Sequence, residues 1–251
     1  MKKEIDIFFT ALMFYTRIPC PPNITHDPDY LNKATRYFPM MGWIVGGLAA
    51  LVFGLSSYFF NPPICILLSM VASILTTGAF HEDGWADVCD GFGGGWTKEK
   101  ILEIMKDSRT GAYGSIGMAL MLLFKYIVQT EIQVTQLCVV MIAAHSFSRL
   151  CAVGIVATSV YVRENDDAKA KPLAKTITIR EIIPAFIFGV APLWMIGKYC
   201  LAIIPPILLT IYMRRYFHKW IGGYTGDCLG AIQQVSELMF YLGILMAWKF
   251  I

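Results

Sequence analysis

Three aspartates, Asp83, Asp87 and Asp90, stand at i, i+4 and i+7 within the run FHEDGWADVCDG (residues 80–91). On a helix this spacing puts all three carboxylates on one face. Carboxylates that converge repel one another, and a hard, oxygen-seeking cation such as Mg²⁺ relieves the repulsion while keeping sites for water and phosphate oxygens. The expected chemistry is therefore metal-bound phosphoryl transfer. Gly84 and Gly91 remove side-chain bulk beside the acids, where a substrate backbone or diphosphate must approach. The plain alternative, a solvated loop in which Asp83 or Asp107 caps a helix, does not account for three same-face acids, two glycines and a Gly-Gly-Gly turn so close together.

Downstream of the FGGGW turn (92–96), the stretch KEKILEIMKDSR (98–109) sets Lys106 and Arg109 at i, i+3 with Asp107 and Ser108 between them. This group suits anion recognition, although basic residues beside a membrane are also expected on topological grounds alone. A second polar patch, GGYTGDCLG (222–230), contains Thr225 and Asp227, as ligand-binding residues or as a helix N-cap loop. Arg149, with His145 at i−4, lies deep in an apolar run, where a cation requires a polar cavity or an acidic partner. Lys125 reads equally as a snorkelling side chain, and His81 as a ligand-orienting or merely interfacial one.

The elements that must position these groups are membrane helices. Hydrophobic residues make up 56% of the 251, charged residues only 16%, and mean hydropathy is +0.56, which excludes an ordinary soluble globule. Residues 38–60 and 62–80 are free of charge, and further apolar runs cover 112–130, 134–160, 182–197, 199–213 and 231–250. The expectation is an all-α polytopic bundle of about six to seven transmembrane helices. Pro205-Pro206 and Lys198 divide 182–213 into two short, partly broken limbs. Lys2 and Lys3 before an apolar stretch imitate a signal peptide, but Arg17 and Pro19 follow without a small-residue cleavage site, so an N-terminal interfacial or re-entrant helix fits better. The whole chain, 1–251, reads as a single membrane-embedded domain whose active-site loop is 81–111.

Of the 21 basic residues, five fall in 1–37, four in 81–111, five in 161–181 and three in 214–227, all on one side under this division. The positive-inside rule places that side in the cytoplasm of a multi-pass inner-membrane protein. A net charge of +3 gathered in loops does not suggest nucleic-acid binding. Seven cysteines, odd in number and without a CxxC pair, suggest neither a disulfide framework nor a zinc site.

The run FHEDGWADVCDG followed by LEIMKDSRTGAYG (102–114) resembles the cobalamin synthase family, the adenosylcobinamide-GDP ribazoletransferases. TRIP (16–19), FPMMG (38–42), Ser148-Arg149 and GGYTGDCLGA (222–231) agree, so the resemblance spans nearly the whole chain. The family motif usually reads HLDGLAD, so Glu82 and Trp85 stand where leucines are usual, and Gln233-Gln234 lie near where an acid is common. The resemblance implies a Mg²⁺-dependent integral membrane enzyme that joins adenosylcobinamide-GDP to α-ribazole or its 5′-phosphate and releases GMP. It implies catalytic and metal-binding roles for Asp83, Asp87 and Asp90. Glu82, Lys106, Asp107, Ser108, Arg109, Arg149, Thr225 and Asp227 form the expected substrate-binding set. Partners are the two substrates and the lipid bilayer, with assembly into homo-oligomers left open. The acidic core also looks somewhat like that of CDP-alcohol phosphotransferases, but the Ala-Arg of their signature is missing. A transporter suits the broken helices and Arg149, yet has no need of clustered aspartates.

Single cysteines at 98, 169 and 219, in a cysteine-depleted background, are expected to be labelled only from the cytoplasmic side. Labelling of position 219 from outside would overturn the two-limb reading of 182–213.

Overall fold

The computed structural model describes residues 2–25, 27–163 and 177–250. Position 169, within the second charged stretch, lies outside them. The described residues form helices α1 (Lys2–Tyr15), α2 (Pro28–Ala34), α3 (Phe38–Ser56), α4 (Pro62–Thr77), α5 (Phe80–Gly94), α6 (Lys98–Ile104), α7 (Ala112–Thr130), α8 (Val134–Thr158), α9 (Ile179–Val190), α10 (Leu193–Ile196), α11 (Ile204–Ile221) and α12 (Gly226–Phe250). Two 3₁₀ segments, Thr35–Tyr37 and Gly197–Ile203, join neighbouring helices.

Among the described residues, five helical stretches are long and apolar enough to cross a membrane, or six if the bent α4–α5 pair counts as one span. One of the five, Ile179–Ile221, folds back on itself. At its start Glu181 pairs with Arg36 at 3.1 Å, and α11 returns until Arg214 Nη2 donates to the Thr158 carbonyl at 2.6 Å, lining the same cavity as Ile182 of α9. The expected pair of broken limbs is therefore present, with the reversal carried by α10 and the 3₁₀ segment before Pro205-Pro206. α1, with 14 residues, is too short to cross the ~30 Å apolar core and packs Ile7, Ala11 and Tyr15 inward.

α8 and α12 are the centre of the bundle: 78% and 83% of their apolar windows are buried, against 28% for α7 and for the α9–α11 stretch. Leu55, Leu75, Leu120 and Leu208 point outward, forming an apolar surface that a bilayer would cover. The α3–α8 seam depends on Gly42 and Gly46, a small-xxx-small pair that lets the backbones touch. A Cβ on Gly42 would sit 2.4 Å from the His145 carbonyl oxygen, and one on Gly46 2.9 Å from the Ile142 Cα.

The polar segment expected as a loop over 81–111 is mostly helical, and its first residues are inside the bundle. α4 ends at Gly78, whose φ of 66° lets the chain leave the helix, and the N–H of Ala79 closes the turn on the Ile74 carbonyl at 3.0 Å. Ala79, also left-handed with a φ of 58°, completes an 88° corner into α5. The corner replaces a continuous span because the α5 sequence must leave the apolar wall and lie against α12. There a Cβ on Gly84 would be 2.9 Å from the Asp227 carbonyl oxygen and 3.3 Å from Gly230 Cα.

Gly42→Ala is expected to force α3 and α8 apart and cost about 1–3 kcal/mol. Gly47→Ala, where an added Cβ meets nothing within 4 Å, should be neutral or slightly stabilising. Thermal unfolding in detergent checks both, and equal midpoints for the two variants would contradict the seam.

Candidate active site

The α5–α12 contact places the aspartates of one helix against the first turn of the other. Asp83 is exposed, Asp87 and Asp227 are half-buried, and Asp90 is buried. Asp87 feels the repulsion of Asp227, Asp83 and Asp90, and the cation set against them is Arg163. Arg163 Nη2 lies 2.7 Å from Asp227 Oδ2 and donates to the Met105 carbonyl at 3.0 Å. A short parallel bridge between Tyr161 and Tyr224 holds this arginine in place by tying the segment after α8 to the one before α12. Thr225 accepts from the Cys228 N–H at 3.3 Å, the bond of an N-cap, and so fixes the helix start that carries Asp227.

Asp90 is turned to a different task. Its Oδ2 accepts from the Gly111 N–H at 2.6 Å and its Oδ1 from the Gly114 N–H at 2.8 Å, so it caps α7 and locks α5 to it. Lys106, Ser108 and Arg109 are exposed, and Arg109 Nη2 lies 2.6 Å from Asp107 Oδ2. That hydrogen bond holds the Asp107 carboxyl down at about 2. The arginine of the basic pair is thus engaged by its own neighbour, and Lys106 follows Met105, whose carbonyl accepts from Arg163.

Glu82 and Arg149 do not join the aspartates at the mouth but belong to a polar network inside the bundle. Gln234 Nε2 donates to Glu82 Oε1 at 2.9 Å and to Gln233 Oε1 at 2.9 Å. Lys125 Nζ lies 2.9 Å from Glu237 Oε1, and His145 Nδ1 3.3 Å from Glu237 Oε2. Arg149, 2% exposed, donates to the His145 carbonyl at 2.8 Å and stacks over the Phe38 ring. His81, Glu82, His145, Arg149, Gln233, Gln234 and Glu237 surround a cavity of about 10 Å³, room for about one water and not for a substrate.

Sequence reasoning missed two members of these groups. Arg163 entered there only as one of the five basic residues counted in 161–181, and nothing local signals its partner 64 positions on, since the pairing comes from the Tyr161–Tyr224 bridge. Glu237 had a readable signal: an acid inside the last apolar run and a lysine inside another call for each other. Lys125 accordingly is buried and paired rather than snorkelling.

The side chains at the mouth that could hold a divalent cation are Asp83, Asp87 and Asp227, hard carboxylates of the kind that suit Mg²⁺ rather than zinc. Among the described residues no three His, Cys, Asp or Glu side chains already stand in a ligand arrangement. Such a set would hold the cation only in part, leaving positions for water and phosphate oxygens, which is the usual habit of Mg²⁺.

Comparison with known proteins shows the family. The family model described as cobalamin-5-phosphate synthase matches residues 7–245. A protein of Shewanella frigidimarina named adenosylcobinamide-GDP ribazoletransferase is 43% identical over 248 residues, covering 97% of this chain and 95% of its own length. Relatives of the same name from Shewanella pealeana, 44% identical over 98% of this chain and 96% of theirs, and Leptospira interrogans, 42% over 99% and 98%, are similar along their whole length. No solved structure matches. With the match running from α1 into α12 and relatives this similar from end to end, the chain belongs to the cobalamin-5-phosphate synthase family.

Proposed function

We propose that the chain is a Mg²⁺-dependent adenosylcobinamide-GDP ribazoletransferase of the cytoplasmic membrane, with the α5–α12 mouth opening to the cytoplasm. The observation that carries the reading is the meeting of Asp83 and Asp87 on α5 with the Asp227–Arg163 pair at the start of α12. An excess of carboxylate beside one guanidinium is a site made for a divalent cation and a phosphate. Family membership and the names of the relatives supply the substrate class.

In this reading the ribose 3′-hydroxyl of α-ribazole, or of its 5′-phosphate, attacks the corrinoid-side phosphorus of adenosylcobinamide-GDP. A phosphorus–oxygen bond forms, the bond to the GMP phosphate breaks, and GMP leaves with the electron pair. Asp83, Asp87 and Asp227 would hold Mg²⁺, which when bound supplies positive charge for the diphosphate oxygens. One of these carboxylates takes the hydroxyl proton, Arg163 and Lys106 meet phosphate oxygens, and Asp90 keeps α5 fixed against α7 while they do so. Catalysis on this plan consists of positioning and charge.

Asp83→Asn and Asp227→Asn keep size and remove charge, and each is expected to lower turnover by at least ~10²-fold with the protein still inserted. Purified protein with Mg²⁺, adenosylcobinamide-GDP and α-ribazole should release GMP and a complete corrinoid, and EDTA should stop it. Release of CMP and a phospholipid from a CDP-activated donor, or no product from either donor, would overturn the assignment.

A further inference from the structure

Between α8, α9 and α11 lies a second cavity, of about 650 Å³, lined by apolar side chains including Phe147, Leu150, Phe186, Val190, Leu193 and Ile207. None of the aspartates lines it. It arises from the hairpin: α9 has twelve residues, roughly 18 Å at 1.5 Å per residue, and is too short to cover α11 along a full span. Gly154 and Ala157 of α8 and Phe186 of α9 are exposed within it, so it opens towards the surrounding apolar medium. Water is a poor filling, because a buried water needs two to four polar partners. A dry apolar cavity of about 150 Å³ takes a benzene ring, so a space of about 650 Å³ suits a long hydrocarbon chain.

One end of the cavity is polar. Thr158 and Arg214 line it, and Arg214 Nη2 donates to the Thr158 carbonyl, while its Nε is buried without a hydrogen-bond partner. Arg215 follows on α11, and Arg180 sits in the first turn of α9, two residues before the lining Ile182; both are exposed. The acid closest in sequence, Glu181, is engaged by Arg36 at 3.1 Å and by the Thr178 N–H at 3.0 Å. Among the described residues this rim is positive and holds a donor still to be satisfied.

We propose that this cavity binds one anionic phospholipid, an acyl chain lying between α9 and α11 and the headgroup phosphate against Arg214. A phosphate oxygen against the guanidinium makes a charge-assisted bond, and a basic pocket between membrane helices is the usual form of an anionic headgroup site. The chain fills the volume that the short limb leaves open. The site is separate from the aspartate mouth and does not rest on the reaction assigned to it.

Native mass spectrometry of the purified full chain in detergent, titrated with phosphatidylglycerol or with phosphatidylcholine of the same acyl chains, tests this. One phosphatidylglycerol should be retained per chain, at about 10-fold lower concentration than phosphatidylcholine, because the two share the phosphate and differ in the choline cation, which the basic rim of Arg180, Arg214 and Arg215 repels. Gly154→Phe enters open space, since an added Cβ meets nothing within 4 Å, so it should weaken both lipids with helicity by circular dichroism unchanged. Arg214→Gln should weaken both lipids and narrow the preference for the anionic one. Equal retention of the two lipids by the unaltered protein, or phosphatidylglycerol binding untouched in either variant, would overturn the proposal. So would a lipid-free dimer that Gly154→Phe dissolves, which would give the face to a second copy of the chain.

Discussion

Glu237, 1% exposed in the middle of α12, is the constraint from which the rest of the interior follows. A carboxylate in such a place requires cations and donors, and the bundle supplies them from three elements: Lys125 from α7, His145 from α8, and Gln233 from its own helix at 2.6 Å. Losing one partner of a buried pair of this kind typically costs about 3–5 kcal/mol, because the other charge is left uncompensated. The network continues through Gln234 to Glu82, the third residue of α5. The start of α5 is thereby set in depth and rotation, and with it Asp83 one position later and Asp87 one turn beyond.

Close backbone contact does the remaining positioning. Gly84 and Gly230 bring α5 and α12 so near that Asp227 and the α5 acids share one mouth, and Asp90 holds the other side of α5 against the first turn of α7. The polar interior and the acidic mouth are thus two layers of one arrangement. The inner layer is buried, with space for about one water, and fixes position; the outer layer carries the exposed and half-exposed carboxylates.

The spans, the hairpin at 182–213 and the same-face aspartates were legible in the sequence because each depends on local composition or spacing. The 88° corner was less so: Gly78 offers a helix end, but the positive φ of Ala79 is imposed by the packing of α5 on α12 and has no local cause. Arg149 and Glu82 show the same boundary. The burial of Arg149 and its need for a partner could be inferred from its apolar run, whereas Glu82 was expected in a polar loop and is buried because α5 meets α12. Arg163 entered the mouth by a pairing across 64 positions that no window of sequence contains.

The N-terminal segment belongs to the corner. The Arg17 N–H donates to the Thr76 carbonyl at 2.7 Å, satisfying an acceptor that the end of α4 leaves open, and the Arg17 side chain lies over Gly78, where even one added carbon would sit 2.4 Å from its Nε. Tyr15 stacks on Phe38, which in turn stacks on His81 at the start of α5. Residues 15–17 therefore act as a wedge behind the aspartate helix, although they lie far from it in the chain. For anyone engineering the protein, a fusion or affinity tag that drags on this wedge disturbs the acids indirectly, whereas the last turn of α12, with Phe250 79% exposed, is the attachment point that leaves the corner alone.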